Sequence, residues 1–246
     1  VVVGGGSCCA AGQTCCGGAC VDPNVDEPNA SAPFADANCD GVDGVAAKSY
    51  FVDSLTTCAS NLGTKACPMK TIQAAVNAAA ASLTTSSAKP SVLVSAATYN
   101  ESITLKRGVS VYGGYSAAQN WARSANNVVT INGGTTAVRT DSTQTFNVAT
   151  VFDRFTILAQ SNTAPGGASI GLLVKNATSA LVLRNLTVQA GNGGNGTDQS
   201  VTRAATGDSG GDGNTGGNGA EDCNQSGAGR GGTPRAHAQR LRAAGS

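Results

Sequence analysis

Residues 70–81 read Lys70-Thr71-Ile72-Gln73-Ala74-Ala75-Val76-Asn77-Ala78-Ala79-Ala80-Ala81. This is the one stretch of the chain that reads as a helix, and its isolation decides the fold. Thr71 is placed to cap the N-terminus, because a threonine hydroxyl accepts from the first free amides of a helix. Alanine, the best helix former, fills the interior. Ile72, Ala75, Val76 and Ala79 share a face at the i, i+3, i+4, i+7 spacing. The pattern predicts a helix over residues 71–81.

Ahead of it lie a short strand, Tyr50-Phe51-Val52, and a loop bracketed by Cys58 and Cys67. Behind it everything reads as short strands, at 91–95, 102–105, 109–112, 128–132, 137–139, 146–151, 155–158, 170–174, 180–183 and 186–189. Gly, Asn, Ser and Asp punctuate them. Phe155-Thr156-Ile157 lies over Leu186-Thr187-Val188 as a weak repeat, each copy following an Arg-containing turn (Asp153-Arg154, Arg184-Asn185). β units repeating at this scale point to a solenoid, with a sandwich as the rival. The lone alanine-rich helix favours the solenoid, whose open core end needs an amphipathic cap against edge pairing. The expected architecture is a right-handed parallel β-helix of roughly four coils, with an N-terminal capping helix and a small disulfide-rich N-terminal segment.

Composition agrees with strands. The 246 residues hold 22 Val and 5 Ile against 12 Leu, and β-branched side chains suit a pleated surface. A net charge of +1 gives no general pull toward nucleic acid, and no apolar run reaches the length of a transmembrane helix. The single histidine, His237, leaves few routes to histidine acid–base or zinc chemistry. Nine cysteines without CxxC pairs or nearby histidines argue for disulfides in an oxidising compartment rather than metal. The odd total leaves one thiol unpaired or paired outside the chain. The opening Val1-Val2-Val3 reads as the stump of a signal peptide on a secreted product.

Four regions follow. Residues 1–45 are Cys-rich and acidic, 46–190 carry the strand and helix signals, 191–232 are Gly-rich low-complexity insertion or linker, and 233–246 form an Arg/Ala-rich tail with the look of a non-native end. Residues 191–232 hold 15 of the 33 glycines without the strand–helix context of a phosphate loop.

Residues 70–76, Val92-Leu93-Val94-Ser95, Thr98-Tyr99-Asn100-Glu101-Ser102 and Gly108-Val109-Ser110-Val111-Tyr112-Gly113-Gly114-Tyr115 together resemble the opening of a pectin-lyase-like right-handed parallel β-helix. Cys15-Cys16-Gly17-Gly18-Ala19-Cys20-Val21-Asp22 and Asn38-Cys39-Asp40-Gly41-Val42-Asp43-Gly44 are similar to the cysteine modules of secreted β-helix proteins from myxobacteria and related bacteria. The resemblance covers residues 12–200 and implies fold and compartment more than activity. Tyr99-x-Glu101 occurs in pectin methylesterases, but Ala97 stands where their glycine usually precedes it. Polygalacturonases need a Gly-His-Gly, and the only histidine is in the tail. Pectate lyases need calcium-binding carboxylates and an arginine, for which only Arg139, Asp141, Asp153, Arg154 and Arg184 are available. Asp141 and Asp153 are the one pair that could face a glycosidic bond, against the commoner use of such carboxylates in turns.

Two sites suggest themselves. Asp36-x-Asn38-x-Asp40-Gly41 has the alternating oxygens and turning glycine of a calcium loop, and Asp43 adds a carboxylate. Asp36, Asn38, Asp40 and Asp43 are the expected Ca²⁺ ligands, although Ala47 stands where an EF-hand has its glutamate. A disulfide-anchored Asx-turn linker is the alternative. Tyr115 and Trp121 flank a turn and are candidates for stacking on sugar rings; the alternative is that they pack in the core. Cys58 and Cys67 are expected to form a disulfide. The functional expectation is a secreted or cell-surface scaffold for adhesion or carbohydrate binding, with a polysaccharide or surface glycan as partner and neither nucleic acid nor a transmembrane segment. The rival is a polysaccharide lyase or hydrolase whose site lies in further coils.

Overall fold

A computed structural model of the chain describes residues 9–196, all within one compact unit. A hairpin opens it: β1 (Thr14–Cys16) pairs antiparallel with β2 (Ala19–Val21). After an irregular segment come β3 (Ser49–Val52), α1 (Ile72–Ser82), β4 (Ser91–Ser95), β5 (Thr98–Tyr99), β6 (Ile103–Leu105), β7 (Ser110–Ser116) and β8 (Ala122–Arg123). β9 (Thr130–Gly133), β10 (Thr136–Thr140), β11 (Thr150–Ala159), β12 (Ile170–Leu173) and β13 (Leu181–Gln189) follow.

The helix forms where the sequence places it. The Thr71 hydroxyl accepts from the Ala74 amide, and Ile72, Ala75, Val76 and Ala79 are its buried residues. That face packs on β3, β4 and β6. A second device holds the helix start: the Glu101 carboxylate accepts from the Ile72 and Gln73 amides at 2.7 and 3.0 Å. A carboxylate there satisfies two orphan amides and complements the helix dipole. Tyr99, two residues earlier, is buried with its hydroxyl donating to the Ser95 carbonyl. The Tyr99-x-Glu101 element is thus a structural corner.

The expected right-handed parallel β-helix is not what the chain adopts. Among the described residues thirteen strands form three sheets, one of two strands, one of three (β12-β10-β6) and one of eight, curled into a half-barrel rather than stacked as a solenoid. Solenoid coils repeat a rung of constant length, whereas here the rungs are unequal. Ser49 pairs with Ser91, Ser91 with Ser110, Val111 with Phe152 and Phe152 with Leu183. The first half of β11 pairs β7 and its second half pairs β9, so one strand joins two rows into one sheet. β8 enters that sheet antiparallel, and the β4–β7 register shifts between Leu93 and Ser95. Connections of unequal length cannot stack as uniform coils, and within the strands Arg154 and Asn185 take positive φ of 69° and 53°. They bend β11 and β13 without breaking them, so the segments 146–151 and 155–158, and likewise 180–183 and 186–189, do not stay separate strands. The repeat itself is real at one rung: Phe155, Thr156 and Ile157 pair with Leu186, Thr187 and Val188.

The large sheet is buried on both faces near its centre. On one face Val52, Val92, Val94, Val111, Phe152 and Ile157 join α1 in the main core. On the other, a row crosses the strands in register through Phe51, Leu93, Tyr112, Asp153 and Arg184. Two-sided burial explains why Val92-Leu93-Val94 is continuously apolar rather than alternating. Among the described residues three disulfides join Cys9 to Cys20, Cys16 to Cys39 and Cys58 to Cys67, the last as expected from sequence. The glycine-rich tract beyond residue 196, the Arg/Ala-rich tail, Cys8 and Cys223 lie outside the described residues. The first residues of that tract are ordered by the preceding loop, with Asn162 donating to Asn192 and Gly166 to Asn195.

Candidate functional site

The second face of the sheet is covered by the acidic segment that follows the hairpin, and this covering builds the site. Across the row, the apolar end takes Val42, and Phe51 meets Trp121 edge to face at 4.7 Å. The polar end takes carbonyls: Arg184 donates to Pro28, Arg154 to Ala30, and Asn185 to Ala30. Tyr112 donates from its hydroxyl to Glu27, and burial together with that carboxylate pushes the phenol up.

Arg123, on the antiparallel β8, is the centre. Its guanidinium bonds Asp43 at 3.0 Å and Asp153 at 2.8 Å, and both side-chain partners are at most 2% exposed. It also donates to the Asn29 and Gly113 carbonyls. The Asp153 carboxylate is completed by the Asn185 amide at 2.8 Å, with Arg184 Nε at 3.2 Å as an ion-pair contact. Asp43 also takes the Asn29 amide. A buried guanidinium with nearly every donor used, facing two carboxylates from distant segments, is an anchor and not a reacting group. Phe34 extends it, with Arg154 at 4.8 Å and Arg123 at 5.4 Å from its ring centroid.

Above the anchor lies an open cleft of about 290 Å³. It is lined by half-buried Phe34 and Asp36, the exposed amides of Gln119 and Asn120, and the buried edges of Trp121 and Arg123. A 3-10 turn, Ala117–Gln119, carries the amides, pinned by the Ala117 amide donating to Ser95 Oγ. Asn120 and Trp121 follow at φ 53° and 65°. Two successive non-glycine residues in the left-handed region, one of them a bulky tryptophan, are strained. Such strain persists only where the surroundings enforce it, here through Trp121 burial and its amide bond to the Ser116 carbonyl at 2.8 Å.

The residues expected from sequence fall as follows. Tyr115 and Trp121 are not free to stack on sugar rings: Tyr115 is fully buried, its hydroxyl donating to the Asp43 carbonyl, and Trp121 is 3% exposed. Their rings are part of the core that the covering segment closes, which corrects the stacking role. The calcium candidates Asp36, Asn38, Asp40 and Asp43 do come together in one loop, but their oxygens are turned to the loop's own amides. Asp36 accepts from Asp40 and Gly41, Asn38 Oδ1 from Asp40, and Asp40 from Val42 and Ala46. Asn38 directs its Nδ2, a donor, at Asp40 Oδ2, and Asp43 is spent on Arg123. Calcium there would have to displace these bonds, and among the described residues no group of three or more His, Cys, Asp or Glu is arranged to hold a metal. Beside the loop, Asp26 accepts from the Ala37 and Gly44 amides, and its carboxyl is raised chiefly by burial.

Asp141 and Asp153 have separate partners. Asp141 follows β10 and is held by Lys106 at 2.7 Å and by Thr143, which bring its carboxyl down to about 2. Arg139 bonds Thr104 Oγ1. Sequence reasoning missed Arg123 altogether; the signal was an arginine inside a hydrophobic turn, opposite a conspicuous acidic segment.

Fold and site together define a mostly parallel, curled β protein with a disulfide-stapled strap and a strained cleft at the strap's edge. Comparison with protein-family models, curated proteins and solved structures finds nothing that matches the chain. The likeness to pectin-lyase-like proteins therefore rests on the quoted residues alone.

Proposed function

We propose that the chain is a non-catalytic extracellular module that binds a carbohydrate in the cleft beside Trp121. The observation that carries this reading is the strained Asn120-Trp121 corner, which presents the exposed Gln119 and Asn120 amides in one cleft with Asp36 and half-buried Phe34. Sugars are recognised by planar amides and carboxylates that bond their hydroxyls, and half-buried Phe34 supplies the apolar surface, Trp121 being closed into the core. The three disulfides support an oxidising compartment, and no helix among the described residues is long and apolar enough to cross a membrane. Binding without catalysis is supported by the separate engagement of Asp141 and Asp153, since glycoside hydrolysis needs two carboxylates facing one bond.

The test is a glycan array read with rim variants that leave the core alone. Gln119→Ala, Asn120→Gly and Asp36→Asn should each weaken binding to the glycans captured by the parent, by about tenfold for one lost polar contact. The Gln119 and Asn120 variants should keep their thermal midpoints within a few degrees of the parent. Asp36→Asn also gives up an acceptor for the Asp40 or Gly41 amide and is compared with the parent after correction for its own midpoint. An array without hits, or hits indifferent to all three variants, overturns the reading.

A further inference from the structure

The N-terminal hairpin places a free thiol against a disulfide. β1 and β2 are joined by Gly17-Gly18, both at positive φ (56° and 86°), the pair of conformations that a two-residue type I′ turn requires. With that turn, Cys16 and Ala19 flank the loop as the hydrogen-bonded pair, and the next pair outward, Cys15 and Cys20, is non-hydrogen-bonded. Residues directly opposite in such a pair project from the same face, with Cα atoms ~4.5 Å and Cβ atoms ~4.5–5.5 Å apart. Disulfides span Cα separations of ~4.4–6.8 Å, so a small pinch of the hairpin suffices to join the two.

Cys20 is already bonded to Cys9, while Cys15 is exposed and carries the one free thiol among the described residues. Cys16 points to the opposite face and is held by Cys39, so Cys20 is the disulfide sulfur that faces Cys15 across the strands. We infer that the hairpin is an internal thiol–disulfide switch, in which Cys15 displaces Cys9 from Cys20. The Cys15 thiolate attacks Cys20 Sγ, the Cys15–Cys20 bond forms, the Cys9–Cys20 bond breaks, and Cys9 leaves as a thiolate. The proton lost by Cys15 is regained at Cys9, and no net oxidation or reduction occurs.

The exchange changes what the crosslink holds. In one state it ties residues 9–13 back onto the hairpin; in the other it closes the hairpin on itself and frees those residues, moving the reactive thiol to Cys9. The anchor at Arg123 and the Cys16–Cys39 bond lie outside the exchanging trio, so the strap stays docked in both states.

The experiment maps the thiol by two-colour alkylation of the full chain. Protein is held at about pH 8.5, where an ordinary thiol is half ionised, or at about pH 4, where it is not. It is then labelled with a first alkylating agent, unfolded, reduced and labelled with a second, and the peptide covering residues 9–21 is sequenced by fragmentation. Labels on Cys8 and Cys223 are read separately. After the high-pH incubation the first label is expected on both Cys15 and Cys9, and after the low-pH incubation on Cys15. First label confined to Cys15 after a day at the higher pH overturns the switch. In Cys9→Ser, which removes the competitor and is given oxidised glutathione as the two-electron oxidant, Cys15 and Cys20 are expected to bridge and lose the first label; Cys15 still carrying it there also overturns the proposal. Cys15→Ser serves as the control, with no first label on Cys9.

Discussion

Arg123 illustrates how one side chain can hold two distant parts of a chain together. Its partners Asp43 and Asp153 are buried and come from the strap and from β11. Removing the guanidinium leaves buried Asp43 with only the Asn29 amide and Asp153 with Asn185 and the partly exposed Arg184, which is more costly than the pair was worth. Arg123→Met is expected to destabilise the fold by about 3–5 kcal/mol, read from the urea midpoint at unchanged slope. Asp141 makes a smaller, pH-dependent contribution. Lys106 and Thr143 hold its carboxyl at about 2, below the ordinary value of 3.8. A lowered carboxylate contributes stability that is present above the ordinary pKa and is lost as pH falls through the folded one. Stability should therefore fall between about pH 4 and pH 2, and Lys106→Met should flatten that fall. NMR titration of the Asp141 carboxyl in that variant is expected to show it returned toward the ordinary range. Asp26 works in the opposite sense, because burial raises it: its contribution is complete at low pH and is lost as pH rises through its folded value.

At the scale of elements, legibility followed distance along the chain. The helix, its Thr71 cap and its buried face are local, and all were readable because 3.6-residue periodicity and capping chemistry are local rules. The Glu101 cap was not, since its carboxylate reaches the helix from a loop beyond β5. Glu101→Ala is expected to cost about 1–2 kcal/mol, as two charge-assisted bonds to the helix start are lost; Thr71→Ala should cost about 1 kcal/mol. Urea unfolding of the single and double variants would check both, and a cost for Glu101→Ala no larger than that of a surface substitution would remove its capping role. Strand positions were mostly readable, strand continuity was not. Arg154 and Asn185 read as turns, because left-handed φ at a non-glycine residue normally ends a strand. Here the corner at Arg154 is accommodated by Gly113, where a Cβ would stand 2.2 Å from the Arg154 carbonyl oxygen. The glycine pair at 113–114 thus serves a close crossing of two strands, information that no local pattern carries.

The whole molecule depends on a covering that composition alone made look detachable. Residues 1–45 read as a Cys-rich, acidic segment ahead of the β region, and residues 22–45 of it are poor in apolar side chains. Docked, the segment supplies Val42 to the second core and carbonyls to Arg123, Arg154, Arg184 and Asn185, side chains from β8, β11 and β13. The sheet needs that cover. Without it the row Phe51, Leu93, Tyr112, Asp153 and Arg184 would put aromatic and aliphatic surface beside a bare carboxylate in water. Because the contacts span several strands, strap and sheet are expected to open as one cooperative unit and not by fraying from the N-terminus. Native-state hydrogen exchange measures this directly. The amides of Asn29 and Gly44, which bond Asp43 and Asp26, should show the same opening free energy as the amides of β4 and β9. Arg123→Met should lower the two sets unequally, with the strap amides falling first. Strap amides that exchange orders of magnitude faster than those of the sheet in the unaltered protein would make the segment a tethered linker after all. The cleft beside Trp121 would then lose the wall formed by Phe34 and Asp36 each time it opened.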